Sequence, residues 1–279
     1  MTKKILLDFS DFYEDRYEYS RTGPTDNILT QEYRKPNDVS NFFKKRGFCP
    51  FCMKNIPEVF NKTDKFTMGK EMWTFIKVWE CDSCKWWEYS DQFSEEEDHI
   101  SELHTQNSDI LRHGIVKKFN IGDKQIPINT LIDELMRTKE ILYSIDPYKF
   151  EEIAQHVFSA YFNCEVKHVG QTGDGGIDLI IVLSDDPILV QVKRRTSANH
   201  IELVSGIREF IGSMYIKDAR KGIFLSTAKD FSKGAKETVN DVLNNRKFDF
   251  FELKDFKSFC DMLSVLKTED YKPWNKFIK

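Results

Sequence analysis

The stretch GQTGDGGIDLIIVLSDDPILVQVKRR, Gly170 to Arg195, decides the fold. Two apolar runs, Ile177 to Leu183 and Ile188 to Lys193, flank the turn-rich Ser184-Asp185-Asp186-Pro187, the pattern of a β-hairpin. The first run holds one charge, Asp178. The second holds Gln191 and Lys193, which share a face because side chains two apart in a strand point the same way. A hairpin folded at Ser184-Asp185 sets Asp178 opposite Gln191. One folded around Ser184 to Pro187 sets it opposite Lys193. Either register brings a carboxylate beside an amide and an ammonium.

Charges among buried apolar residues are costly unless paired or bound to metal. Two readings follow. One is a Lys-Asp salt bridge near a sheet end. The other is a Mg²⁺ site, since Mg²⁺ takes oxygen ligands, commonly one or two carboxylates, and keeps several waters. Asp178 is then the anionic ligand, and the Gln191 side-chain oxygen or the Val192 backbone carbonyl a neutral one. Lys193 would orient or help deprotonate an attacking water and steady the charge developing at phosphorus.

TGDGGIDLI (172–180), QVKRR (191–195) and the preceding KFEEIAQHVFSAYF (149–162) together resemble the catalytic domain of Mrr-type restriction endonucleases, within the PD-(D/E)xK nuclease superfamily. The resemblance runs from about Asp146 to Ala235. It places the family's catalytic Asp on Asp178, its Gln on Gln191, its Lys on Lys193 and its helix Glu on Glu151, with the adjacent Glu152 left open. Gln191 stands where the wider superfamily carries an acid, so the site has one negative charge fewer and metal affinity is expected to be modest. The resemblance implies a restriction-endonuclease-like α/β core, a mixed sheet flanked by helices. It implies Mg²⁺- or Mn²⁺-dependent hydrolysis of DNA in prokaryotic restriction or antiphage defence. Cutting both strands calls for two sites, hence a homodimer or larger assembly, and a defence-system partner protein is compatible. A structure-selective repair nuclease and a non-catalytic nucleic-acid-binding component are the alternatives. Arg194, Arg195, Asp174 and Gly175, next to the metal ligands, are candidate DNA contacts; Asp174 is either turn chemistry or a second acid near the metal.

Elements around the hairpin fit an α/β domain. Asp146-Pro147 reads as a helix start, and Phe150, Ile153, Ala154, Val157 and Tyr161 recur at helical spacing. Cys164 to Gln171 reads as a strand, Asn199 to Tyr215 as a helix, Lys221 to Thr227 as a buried strand, Phe231 to Leu243 as a helix, Phe248 to Leu253 as a last strand and Asp255 to Leu266 as a closing helix. No GxxxxGK[ST] occurs, so no nucleotide-driven motor is expected.

A second module is announced by Cys49-Pro50-Phe51-Cys52 and Cys81-Asp82-Ser83-Cys84, two C-x₂-C knuckles 28 residues apart. Four thiolates from paired knuckles make the closed tetrahedral site of structural Zn²⁺. Met72 to Glu80 alternates and is rich in aromatic and β-branched residues, a strand running into the second knuckle. Lys85 to Tyr89 returns. The whole resembles a small β-rich zinc ribbon. Met53 and Lys85 stand where such knuckles often carry a small residue.

The expected organisation is an N-terminal arm (1–45), the zinc ribbon (46–92), a bridging segment (93–145) and the nuclease domain (146–279). The arm shows only Ile5-Leu6-Leu7 as a short strand. Residues 92–106, led by acids, read as a solvated helix or linker; His99 and His104, five apart, do not face each other on a helix. Pro127 to Leu142 reads as a helix, and Trp274 as a docking residue in a basic tail. Formal net charge is −4, so DNA binding has to come from local basic clusters. No apolar run approaches a membrane span, no signal segment is evident, and a cytoplasmic protein is expected, where six cysteines point to metal or free thiols.

Overall fold

The computed structural model describes residues 4–23, 29–32, 42–43, 45–67, 70–99, 102–169, 176–183, 187–266 and 272–278. The chain divides into two compact units. One is Leu7–Lys118 with Tyr271–Lys279, here the N-terminal unit; the other is Met1–Leu6 with Phe119–Asp270, the C-terminal unit.

The C-terminal unit is built on a five-stranded mixed sheet. Its strands are β9 (Val166–His168), β10 (Leu179–Ile181), β11 (Ile188–Lys193), β13 (Lys221–Ser226) and β15 (Phe250–Lys254), in the order β15-β13-β11-β10-β9. β9, β10 and β11 pair antiparallel, whereas β11, β13 and β15 pair parallel. β11 lies mid-sheet, and Ile188 to Val192 are all buried, which is why this strand reads as an almost unbroken apolar run. Alternation sends Ile188, Val190 and Val192 into one apolar cluster and Leu189 into another.

The first cluster is covered by helices α1 (Ile128–Arg137), α2 (Pro147–Phe162) and α5 (Phe256–Met262), the second by α3 (Val204–Ile216) and α4 (Lys233–Asn244). α2 starts as its sequence requires. Asp146 caps it by accepting from Tyr148 N at 2.9 Å, Pro147 opens the first turn, and Asn163 closes it with φ 51°. A short pair, β12 (Ile201–Glu202) with β14 (Asp230–Phe231), precedes α3 and α4. It takes the first residues of both expected helices into extended backbone, a pairing too short for any periodicity to announce.

The N-terminal unit is a six-stranded sheet: β1 (Ile5–Gly23), β2 (Leu29–Glu32), β5 (Glu58–Thr67), β6 (Glu71–Glu80), β7 (Trp87–His99) and β8 (Glu102–Asn120), ordered β2-β1-β8-β7-β6-β5. β3 (Phe48–Cys49) and β4 (Lys54–Asn55) form a separate hairpin. Three expectations are corrected. The supposed arm contributes β1, an integral strand whose Phe9 is buried and whose Phe9 carbonyl accepts from Trp87 Nε1 at 2.8 Å. Of residues 92–106, expected as helix or linker, 92–99 lie in β7 and 102–106 in β8, and β7 pairs with β6 on one side and β8 on the other; Glu95 bonds Lys70 at 2.7 Å. Cross-strand pairing there outweighs the local helical spacing. The tail, expected within the 146–279 domain, joins this unit instead: Trp274 is buried, its Nε1 donating to Glu80 Oε2 at 3.1 Å, and Lys272 pairs with Glu80 at 2.8 Å.

A buried polar group lies on one face of β7 and β8. Glu88 is opposite His113, and Gln92 opposite Asp109. Arg46 donates to Ser90 Oγ at 3.3 Å and to Asp109 Oδ2 at 3.1 Å. Both Glu88 oxygens, His113 Nδ1 and Asp109 Oδ1 are buried and have no hydrogen-bond partner among the described residues. Burial pushes the Glu88 carboxyl up to about 7, with Arg46 opposing, and lowers His113 to about 4.

Candidate active site

β10 and β11 pair with Leu179 opposite Val190, the register that continues to Asp178 opposite Gln191. Asp178 itself lies just before β10, yet its backbone stays in the sheet: Asp178 N donates to Val190 O at 2.9 Å, and Asp178 O accepts from Val169 N at 2.9 Å. Its side chain then takes over the ladder, Oδ2 accepting from Val192 N at 2.6 Å. The carboxylate is thereby laid on β11 at the residue between Gln191 and Lys193. The Lys-Asp salt bridge is not formed: among the described residues Lys193, which is half-buried, makes no ion pair.

Gln191 is 5% exposed. Its Oε1 is buried and has no hydrogen-bond partner among the described residues. An amide oxygen in that condition, next to a carboxylate fixed by a backbone N–H, is a donor pair that a hard cation would satisfy. Val192 commits its N–H to Asp178, so only its carbonyl could serve a metal.

The helix glutamates separate. Glu152 pairs with the buried Lys149 at 2.6 Å. Glu151 Oε2 meets His168 Nε2 at 2.7 Å, and the Tyr148 ring lies beside His168 at 4.8 Å. His168 is opposite Leu179, the residue after Asp178. Glu151 is thus tied to the strand that flanks Asp178. Among the described residues no cluster of three or more His, Cys, Asp or Glu forms around Asp178. His168 was not singled out by the sequence; a lone histidine in a short strand carries no signal there.

Both arginines after Lys193 have intramolecular partners. Arg194 Nη1 donates to Tyr143 O at 3.1 Å. Arg195 grips the buried Glu202 through Nε at 2.9 Å and Nη2 at 2.5 Å, and Glu202 also accepts from Ser226 Oγ at 2.9 Å. A DNA contact by Arg195 would compete with that bidentate pair. Asp174 and Gly175 lie outside the described residues.

In the N-terminal unit the Sγ atoms of Cys49, Cys52, Cys81 and Cys84 all lie within 4.8 Å of one another, with Cys49 and Cys84 3.5 Å apart. None is in a disulfide. Tetrahedral Zn²⁺ with bonds of about 2.3 Å places sulfurs roughly 3.8 Å apart, so the cluster is compatible with a zinc ribbon. Met53 and Lys85 follow the second cysteine of each knuckle with φ 53° and 66°, so both turns are left-handed despite carrying side chains. Burial, joined by the three neighbouring thiols, raises the Cys84 thiol, a condition a bound cation would reverse. Trp86 and Trp87 are core, while Trp73 is half-buried under the Lys65 ammonium at 5.1 Å.

A mixed sheet with helices on both faces and an Asp, Gln-x-Lys set where two strands meet is the build of a restriction-endonuclease-like core. Residues 142–263 match the Mrr_cat family model, described as restriction endonuclease, and the match spans the sheet and helices that carry Asp178, Gln191 and Lys193. The chain matches no curated protein and no solved structure. No helix among the described residues is long and apolar enough to cross a membrane.

Proposed function

We propose that the chain is a Mg²⁺- or Mn²⁺-dependent DNA endonuclease of prokaryotic restriction or antiphage defence, with Asp178, Gln191 and Lys193 as its working residues. The observation that carries this is the Asp178 carboxylate seated on Val192 N beside the buried, unpartnered Gln191 Oε1. Asp178 and Gln191, with the Val192 carbonyl, would hold the cation through oxygen. A divalent cation so bound supplies Lewis-acid polarisation of the phosphoryl group. Lys193 orients the attacking water and stabilises the charge that builds as the water oxygen bonds to phosphorus and a phosphodiester P–O bond breaks. Glu151, held by His168, has a supporting part.

Zn²⁺ in the four-cysteine site would be structural, because every coordination position is filled by protein. Hydrolysis of both strands needs two catalytic units, so a homodimer or larger assembly is part of the proposal. The test is cleavage of plasmid and phage DNA with Mg²⁺ and with Mn²⁺. Lys193→Ala and Asp178→Ala are each expected to lower the rate by on the order of a hundredfold or more. Undiminished cutting by Asp178→Ala would sink this reading.

A further inference from the structure

The Gln191 amide lies against the bare Cα of Gly176. A Cβ on Gly176 would sit 2.6 Å from Gln191 Nε2 and 3.7 Å from Cδ, with Oε1 not within 4 Å of it. The amide is turned with its nitrogen over the glycine and its oxygen away. Gly176 has φ +79°, a backbone angle that residues with a Cβ resist. Two residues on, Asp178 is fixed by its own backbone bond to Val190 and by its carboxylate on Val192. On the other side, Gln191 follows three buried residues and precedes buried Val192 in a strand paired with both neighbours, so its backbone has nowhere to shift.

We propose that Gly176 is a positioning residue for the cation site: by giving the Gln191 amide nitrogen a seat with no side chain in it, it delivers Oε1 to the cation held by Asp178. The proposal rests on the reading of Asp178 and Gln191 as cation ligands. Its physical content is the asymmetry of an amide. The oxygen is a lone-pair donor to a cation, whereas the NH₂ presents only hydrogens. A glutamine free to turn would offer either end; one whose nitrogen is lodged over Gly176 offers the oxygen. Any Cβ at position 176 would close the seat, because 2.6 Å is shorter than real contacts of that kind. The amide would have to rotate out, and with it Oε1, a buried oxygen with no hydrogen-bond partner among the described residues.

The experiment measures Mn²⁺ binding by electron paramagnetic resonance and calorimetry on the full chain without DNA. Mn²⁺ is chosen because it prefers oxygen donors and competes poorly for a four-thiolate site. The set is wild type, Gly176→Ala, Gln191→Ala, their double variant and Asp178→Ala. Gly176→Ala is expected to weaken Mn²⁺ binding roughly tenfold to a hundredfold, the range for residues that orient metal ligands. In the Gln191→Ala background it should add nothing, because the side chain it disturbs is gone. Unchanged affinity for Gly176→Ala, or a weakening that persists undiminished without Gln191, would overturn the proposal. Should Gly176→Ala fail to fold, Gly176→Asn replaces it, since Asn tolerates positive φ while still placing a Cβ in the seat. Asp178→Ala separates the two levels: if it binds Mn²⁺ like wild type, the cation site itself is misread. If it loses binding while Gly176→Ala does not, only the role of Gly176 falls.

Discussion

At Glu88 a carboxyl group with no exposed surface faces His113 across two strands, and neither has a hydrogen bond to its buried oxygens or Nδ1 among the described residues. Their shifts act in opposite directions. The unfolded chain releases the Glu88 proton near 4.5, the folded one near 7. Stability is therefore lost as pH rises through that window, by about 3 kcal/mol once both states are ionised. The unfolded chain protonates His113 near 6.5, the folded one only near 4, so stability is lost as pH falls through that window. Glu88→Gln removes the first effect. Its melting temperature should exceed that of wild type by several degrees at pH 8, and the gain should shrink to less than half at pH 5.5. An equal gain at both pH values, or none, would show that Glu88 is not the group titrating.

Among the elements, β13 shows how one residue sets the seat of a helix. Gly222 lies under α3, and a Cβ there would meet Met214 Sδ at 2.5 Å and Phe210 Cε1 at 3.2 Å. Gly222→Ala is expected to destabilise the C-terminal unit by about 1–3 kcal/mol, toward the low end because the methionine can turn aside. Urea denaturation with no change in midpoint would contradict that packing. The elements legible in the sequence are those with a strong local signal: the capped helix α2, the hairpin β10–β11 in either of two registers, and the strand Met72 to Glu80. The sequence left Gln191 and Lys193 both open as the residue opposite Asp178, and the pairing of Leu179 with Val190 sets Gln191 there. What stayed hidden depends on distant partners. β1 looks like a polar arm until Phe9 and the Trp87 ring meet. The acidic stretch of β7 looks like a helix until β6 and β8 flank it. The Gly176–Gln191 contact needs two strands in place before it exists.

At the scale of the whole molecule, each unit has its own apolar core, and the knuckle cysteines belong to one of them. Cys49→Ser should remove the zinc, lower the unfolding transition of the N-terminal unit and leave the C-terminal transition in place. One Zn²⁺ per wild-type chain by elemental analysis is the matching expectation; unchanged metal in the variant would refute the knuckle assignment. The tail carries a further consequence. Trp274 and Phe277 pack with Phe60, Phe12, Trp87 and Tyr89, and Tyr89 Oη donates to Phe277 O at 3.1 Å. Domains commonly fold in the order in which they leave the ribosome. This N-terminal unit cannot complete its core in that order. It must wait, part-made, through synthesis of the whole C-terminal unit until residues 271–279 emerge, so its core closes only after the other unit's chain has been made.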